Sequence, residues 1–267
     1  MNRIFLSFIA ALAWLGAQAF TTLEYSVKTD FLDSDENVTA VVPDRVGDEC
    51  FPTVYILNGY SGNHTDYITR VKDLGKMADR FKMIFVMPDG RNSWYWDTDS
   101  MKMESFITID LVADTDKRFP TIANRANRAI MGLSMGGHGA FRLATLHPGI
   151  WSSAGSMSGG MDITKFADRW GMAKLLGTSY QANPAKWKAS SVAALIPQMK
   201  TAGVNYTFDC GCDDFFAKVN DDLHRAMLEA GIPHDYTSRP GKHSWQYWNN
   251  SLPYILHFFD TKFTREK

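Results

Sequence analysis

The sequence predicts an α/β fold, a mostly parallel central sheet with helices on both faces. Three observations predict it. Short, continuous apolar runs recur along the chain, as in strands buried on both faces. Segments with helical apolar periodicity stand between them. Turns rich in Gly, Pro and Asn punctuate the two kinds of segment, and regular alternation of strand and helix brings successive strands parallel.

In chain order, residues 1–19 read as a signal peptide. Asn2-Arg3 gives a short positive start, residues 4–16 are almost wholly apolar, and Ala17-Gln18-Ala19 offers a small-x-small cleavage pattern. Cleavage would leave a mature chain starting near Phe20, so a secreted or periplasmic protein is expected, with residues 20–267 as a single catalytic domain. The apolar run is too short to span a bilayer comfortably, and no second long one follows.

Residues 23–28 and 37–42 alternate in polarity, as half-buried strands do. Residues 53–57 form a continuous apolar run, a central strand, ended by a Gly/Asn/Ser loop at 58–63. A helical pattern covers 66–81. A second buried strand covers 82–87 and closes on Pro88-Asp89-Gly90, and a long polar and aromatic loop runs from 91 to 103. Residues 104–118 are helical in period, 128–133 a third central strand, 135–147 a helix closed by Pro148-Gly149, and 151–157 a fourth strand. Residues 158–200 break the rhythm and read as a cap-like excursion over the sheet edge, part of a pocket roof. Strands at 204–210 and 234–238 and helices at 214–230 and 244–259 complete the alternation. Ligand sites in such sheets lie at the carboxyl ends of the strands, which directs the search for chemistry.

Composition narrows the partners. The chain is 45% hydrophobic and 21% charged, with a formal net charge of -1. It has no basic excess for nucleic acid and no polybasic run for an anionic membrane, so neither is an expected partner. Three cysteines, Cys50, Cys210 and Cys212, leave at least one thiol unpaired and fall short of a structural zinc set. They read as packing residues or incidental thiols.

The strongest chemical signal is Gly132-Leu133-Ser134-Met135-Gly136-Gly137, a G-x-S-x-G motif between an apolar strand and a helix. A nucleophile on such a sharp turn needs glycines where side chains would clash. The helix that follows points its amino end at the site, which favours developing negative charge. Ser134 is therefore the candidate nucleophile.

A serine needs a base, and the base needs an orienting carboxylate, in the chain order Ser, acid, His. Of seven histidines, His64 precedes the serine, His138 lies in the helix beside it, and His147 precedes any plausible acid. His224 sits inside a helix, His234 begins a strand at the wrong end of the sheet, and His257 lies in the terminal helix. His243 remains, in the loop Pro240-Gly241-Lys242-His243-Ser244-Trp245 after the last strand. For the acid, Asp209, Asp213 and Asp214 compete around the Gly211 turn. Asp209 is still in its strand, and an Asp near a helix start is often an N-cap. An oxyanion hole needs two backbone N–H donors. Met135, after the nucleophile, supplies one; the loop Asn58-Gly59-Tyr60 after the first central strand supplies the other through the Tyr60 N–H.

These residues resemble the α/β-hydrolase esterase family that includes feruloyl and other carbohydrate esterases, tributyrin-type esterases and S-formylglutathione hydrolases. The resemblance rests on Leu57-Asn58-Gly59-Tyr60-Ser61-Gly62-Asn63, on Pro88-Asp89-Gly90, and on the Gly132 to Gly137 elbow. It continues through Cys210-Gly211-x-x-Asp214-Phe215-Phe216 and Gly241-x-His243-x-Trp245. It implies the α/β-hydrolase fold and a serine ester hydrolase, and it selects Asp214, three places after the glycine, as the acid. Two positions depart from it: Asn58, where relatives commonly carry His, and Cys212, where they usually carry a polar residue.

The run Asn92-Ser93-Trp94-Tyr95-Trp96-Asp97 follows a strand's carboxyl end. Trp94, Tyr95 and Trp96 either wall a substrate pocket or pack beneath the 158–200 excursion, and Trp245 is expected to bind substrate. The expected reaction is acyl transfer through an acyl-enzyme, with no metal or cofactor required. The expected substrates are feruloyl, acetyl or short-chain acyl esters of carbohydrate. Transfer to a sugar alcohol, or carbohydrate binding without chemistry, are the alternatives.

Overall fold

The computed structural model describes residues 20–167 and 169–264. The signal-peptide reading falls on residues 1–19, outside the described residues. The strands are β1 (Phe20–Val27), β2 (Glu36–Pro43), β3 (Thr53–Leu57), β4 (Ile84–Pro88), β5 (Arg128–Leu133), β6 (Ser153–Met157), β7 (Asn205–Gly211) and β8 (His234–Arg239). They form one sheet in the order β1-β2-β4-β3-β5-β6-β7-β8. From β4 to β8 every neighbouring pair is parallel, while β1 pairs antiparallel with β2, and β2 with β4. This is the mostly parallel sheet expected, with an antiparallel edge.

Period-two alternation places the side chains of β3 on opposite faces. Tyr55 and Leu57 join a core with Ile130, Phe141 and Trp151, whereas Val54 and Ile56 join Met131, Leu252 and Phe259 on the other side. Helices α1 (Asp66–Arg70), α2 (Leu74–Phe81) and, at the end of the chain, α10 (Trp245–Lys262) cover the second face. The first face is covered by α3 (Met103–Ser105), α4 (Val112–Arg118), α5 (Met135–Leu146) and α9 (Ala217–Glu229). Between β6 and β7 the chain forms α6 (Met172–Leu176), α7 (Pro184–Ala189) and α8 (Ile196–Ala202), with 3-10 turns at Ile163–Phe166 and Val192–Leu195.

Three expected helices differ in detail. The 66–81 helix divides into α1 and α2 because Val71 leaves helical space, with φ -108° and ψ 99°. The 104–118 helix contains a π segment, Phe106–Leu111, between α3 and α4. The helix expected from 214 starts at Ala217, because residues 214–216 form a turn in which the Asp214 carboxylate accepts from the Phe216 N–H at 2.8 Å. That last difference leaves the Asp214 side chain in a loop, free to serve the site.

From β3 the chain steps outward to β4, then returns to place β5 on the other flank of β3. A reversal of this kind opens a crevice at the strands' carboxyl ends. The loops after β3 and β5 meet there.

Candidate active site

Ser134 is the single residue between β5 and α5, with φ 55° and ψ -117°. A non-glycine residue held there is strained, and the surroundings must enforce it. Two neighbours do so: the Ser134 N–H donates to the Met157 carbonyl at 2.9 Å, and its carbonyl accepts from the His138 N–H at 3.1 Å. The turn closes tightly enough that a Cβ on Gly136 would overlap the Leu57 carbonyl.

The loop from β8 to α10 brings His243 over this turn. Its Nε2 lies 3.0 Å from Ser134 Oγ, and its Nδ1 lies 2.8 Å and 3.0 Å from the two Asp214 carboxylate oxygens. A carboxylate can only accept, so Nδ1 carries the proton and Nε2 is left to accept from the serine hydroxyl. Asp214 is 6% exposed. Packing fixes the imidazole further, with Phe215 at 4.3 Å and Trp248 edge-on at 4.9 Å between ring centroids. Ser244 caps α10 by accepting from the Tyr247 N–H, which anchors the loop's far end.

The competing aspartates lie elsewhere. Asp213 is exposed, and its N–H donates to the Gly241 carbonyl. Asp209 is buried in β7 and pairs with Arg239. Burial raises its carboxyl to about 6 against the lowering effect of that guanidinium.

The loop after β3 runs directly over Ser134. A Cβ on Gly59 would reach 3.4 Å from Ser134 Cβ and press on the end of the Leu133 side chain, so the loop backbone passes close over the elbow. The Asn58 Nδ2 donates to the Gly59 carbonyl at 3.0 Å, and its Oδ1 accepts from the Gly90 N–H at 2.8 Å. Ser61 N–H donates to Asn92 Oδ1 at 2.7 Å. The Tyr60 N–H, held between these anchors, takes no partner among the described residues, and Met135 N–H opens the first turn of α5.

The family model for "Putative esterase" matches residues 30–259. The chain belongs to this esterase family. Among curated relatives it is 28% identical to an acetyl esterase of Caldicellulosiruptor saccharolyticus over 239 residues, covering 80% of this chain and 84% of the relative. It is 26% identical to an esterase of Mycobacterium tuberculosis over 82% of this chain, and spans 55% of that longer protein. Among solved structures, a ferulic acid esterase superposes with TM-score 0.81 at 24% identity, covering 93% of this chain and 100% of the other. An S-formylglutathione hydrolase of Agrobacterium tumefaciens superposes with TM-score 0.79 at 21% identity, covering 93% and 97%. The fold is that of the α/β-hydrolases, and the chain is a carboxylic-ester hydrolase.

The aromatic run of this esterase does not wall an open pocket. Trp94, Tyr95 and Trp96 are buried. Trp94 stacks on Trp96 and tilts against Trp170 of the 158–200 excursion, and both tryptophans meet His138 edge-on. The expectation of a substrate-facing wall is corrected to packing: Trp94 lies against the excursion, Trp96 against Trp94 and His138, and Tyr95 between Gly90 and Gly139, each ring out of water. Trp245 is half-buried, edge-on to Tyr67 and Trp248 and beneath Arg70. It stands one ring away from His243, behind Trp248.

Other rings do reach the surface here. Phe215 is 52% exposed beside the imidazole, and partly buried Phe166 and Trp170 lie 6.3 Å and 6.0 Å from it. Sequence reasoning missed them as a group. Phe215 could have been found, since an apolar residue directly after a candidate acid at a strand's end must face somewhere near the site. Nothing in the excursion's spacing shows that Phe166 and Trp170 return to it.

Proposed function

We propose that this esterase cleaves acetyl, feruloyl or other short acyl esters of carbohydrate through a Ser134–His243–Asp214 triad and an acyl-enzyme. The observation that carries the reading is the unbroken line of hydrogen bonds from the Asp214 carboxylate through both imidazole nitrogens to Ser134 Oγ. In the first half-reaction His243 Nε2 takes the serine proton as Oγ bonds to the ester carbonyl carbon. The N–H groups of Met135 and Tyr60 receive the resulting oxyanion. His243 then returns the proton to the leaving alcohol as the ester C–O bond breaks. Water repeats the sequence on the acyl-serine and releases the acid. Asp214 keeps Nδ1 protonated and stabilises the imidazolium that forms between steps.

The substrate class draws on three supports. The acetyl esterase relative spans most of the chain. The superposed ferulic acid esterase shares the fold along its whole length. The exposed ring of Phe215, backed by Phe166 and Trp170, offers an apolar ledge beside the base for a flat acyl group. The character of residues 1–19 supports action outside the cytoplasm, where such polymers are met.

Hydrolysis of p-nitrophenyl acetate, methyl ferulate, acetylated xylan and tributyrin by the wild type and Ser134→Ala tests both parts. The mechanism predicts loss of every activity in the variant, with unchanged circular dichroism. The substrate reading predicts higher kcat/KM on acetylated xylan or methyl ferulate than on tributyrin, and the reverse order would overturn it.

A further inference from the structure

We infer that Tyr95 and Asn58 form a positioning pair that holds the Tyr60 N–H in place for the oxyanion. The inference rests on the serine-esterase reading and assigns a role to two side chains that touch neither substrate nor reacting atoms.

Tyr95 is fully buried, and its hydroxyl lies 3.0 Å from the Asn58 carbonyl and 3.1 Å from Asn58 Oδ1. A Cβ added at Gly90 or at Gly139 would overlap the Tyr95 ring. The ring therefore fills a slot between the turn after β4 and the middle of α5, and its hydroxyl reaches the loop after β3. Three segments that meet at the nucleophile are thus tied by one side chain.

Asn58 completes the tie. Its Oδ1 accepts from the Gly90 N–H as well as facing the Tyr95 hydroxyl, and its Nδ2 donates to the Gly59 carbonyl, the other end of the peptide group that carries the Tyr60 N–H. The carboxamide thereby orients the peptide plane that contains the donor. A planar group offering both an acceptor and a donor suits this position, which accounts for Asn58 in chemical terms.

The backbone around Tyr95 indicates why so much is spent on holding it. Trp94 and Tyr95 adopt consecutive positive φ values, 54° and 60°, without being glycine. Strain of this kind persists where the surroundings over-determine a conformation, and it concentrates near functional sites. The Tyr95 N–H donates to Ser93 Oγ, whose hydroxyl donates to the Gly90 carbonyl, so the strained pair is locked to the turn that also binds Asn58. Burial raises the phenol well above its ordinary range, so the hydroxyl stays a donor across the working pH.

Tyr95→Phe keeps the ring in its slot and removes only the hydroxyl, so it separates positioning from packing. Expected is a fall in kcat for p-nitrophenyl acetate of about tenfold, with KM within about twofold, since a displaced oxyanion donor weakens the transition state and not the ground state. The inhibition constant of a trifluoromethyl ketone, which forms a tetrahedral serine adduct, should rise in the same proportion. The pH midpoint of kcat/KM should not move, because the His243–Asp214 pair is untouched. Asn58→Ala should act in the same direction, and the double variant should be no worse than Asn58→Ala alone.

Wild-type kcat in Tyr95→Phe, a loss carried in KM or thermal stability alone, or independent multiplication of the two effects would each overturn the pair. If Asn58→Ala does not fold, the ketone affinity of Tyr95→Phe decides alone. Ser134→Ala, run alongside, distinguishes the failures: activity retained there defeats the nucleophile assignment itself, whereas an inert Ser134→Ala beside a fully active Tyr95→Phe defeats only the positioning role.

Discussion

His243 Nε2 lies 3.0 Å from Ser134 Oγ, although 109 residues separate them in the chain. The contact joins the turn that ends β5 to the loop that leaves β8, at one rim of the sheet. The closeness is prepared before any substrate arrives. Asp214, Phe215 and Trp248 hold the imidazole, and the strained elbow holds the hydroxyl.

The acid assignment separates two neighbouring aspartates. Asp214→Asn keeps the shape but can present an amide N–H to Nδ1, which favours the wrong imidazole tautomer. It should lower kcat for p-nitrophenyl acetate by up to about 10⁴-fold. Asp213→Asn, on an exposed side chain, should stay within about twofold of wild type. Steady-state rates of the two variants check this, and the reverse ranking would move the acid to Asp213.

Phe215 should set acyl preference. Phe215→Ala removes the exposed ring beside His243 and leaves the triad's hydrogen bonds intact. The ratio of kcat/KM for methyl ferulate to that for p-nitrophenyl acetate should fall by about tenfold, the worth of an apolar contact of that size. An unchanged ratio would show that aromatic acyl groups bind elsewhere.

His138 makes stability depend on pH. Burial holds its imidazole at about 3, while its Nδ1 meets the Gly160 carbonyl at 2.9 Å. In the unfolded chain an ordinary histidine titrates near 6.5, so between about pH 6.5 and 3 the unfolded state binds the extra proton. Its contribution is fully present above pH 6.5 and is lost as pH falls through that window. His138→Asn keeps a donor for Gly160 and removes the titration. Urea unfolding at pH 4 to 6 should show a slope shallower than wild type by up to about 1.4 kcal/mol per pH unit.

Arg239 and Asp209 give a second pH signature, of opposite sign. Asp209 is raised to about 6 by burial, so its contribution is fully present below the ordinary carboxylate range and is lost as pH rises through 6. Arg239 bonds both Asp209 and Ser251, tying β8 to β7 and α10. At pH 8, Arg239→Met strands a buried carboxylate, at a cost of about 3 kcal/mol. At pH 5 the carboxyl is protonated and the cost should shrink. Unfolding free energies of the variant at the two pH values measure the difference.

Much of this was legible in the sequence because the signals are local. The runs at 53–57 and 128–133 coincide with β3 and β5, since continuous burial on both faces leaves an apolar word that turns cannot disguise. Ser134 stands out through the glycines that the elbow requires, and His243 through the chain order Ser, acid, His and its loop after the last strand. The Asp214 acid needed a family resemblance, because an Asp beside a helix start looks the same whether it caps the helix or faces a base. The aromatic loop misled for a tertiary reason. Trp94 and Trp96 pack on His138, and Trp94 also on the excursion's Trp170, partners that no spacing within residues 91–103 reveals. The Asn58–Tyr95 contact likewise joins loops 37 residues apart through a single hydroxyl.

The most direct measurement is the site of covalent capture. The protein is treated with a fluorophosphonate, and the modified peptide is mapped by mass spectrometry. One adduct on Ser134, absent from Ser134→Ala and slowed in Asp214→Asn, is the predicted result. Stoichiometric labelling of another residue with Ser134 unmodified, or full esterase activity surviving in Ser134→Ala, would contradict the account.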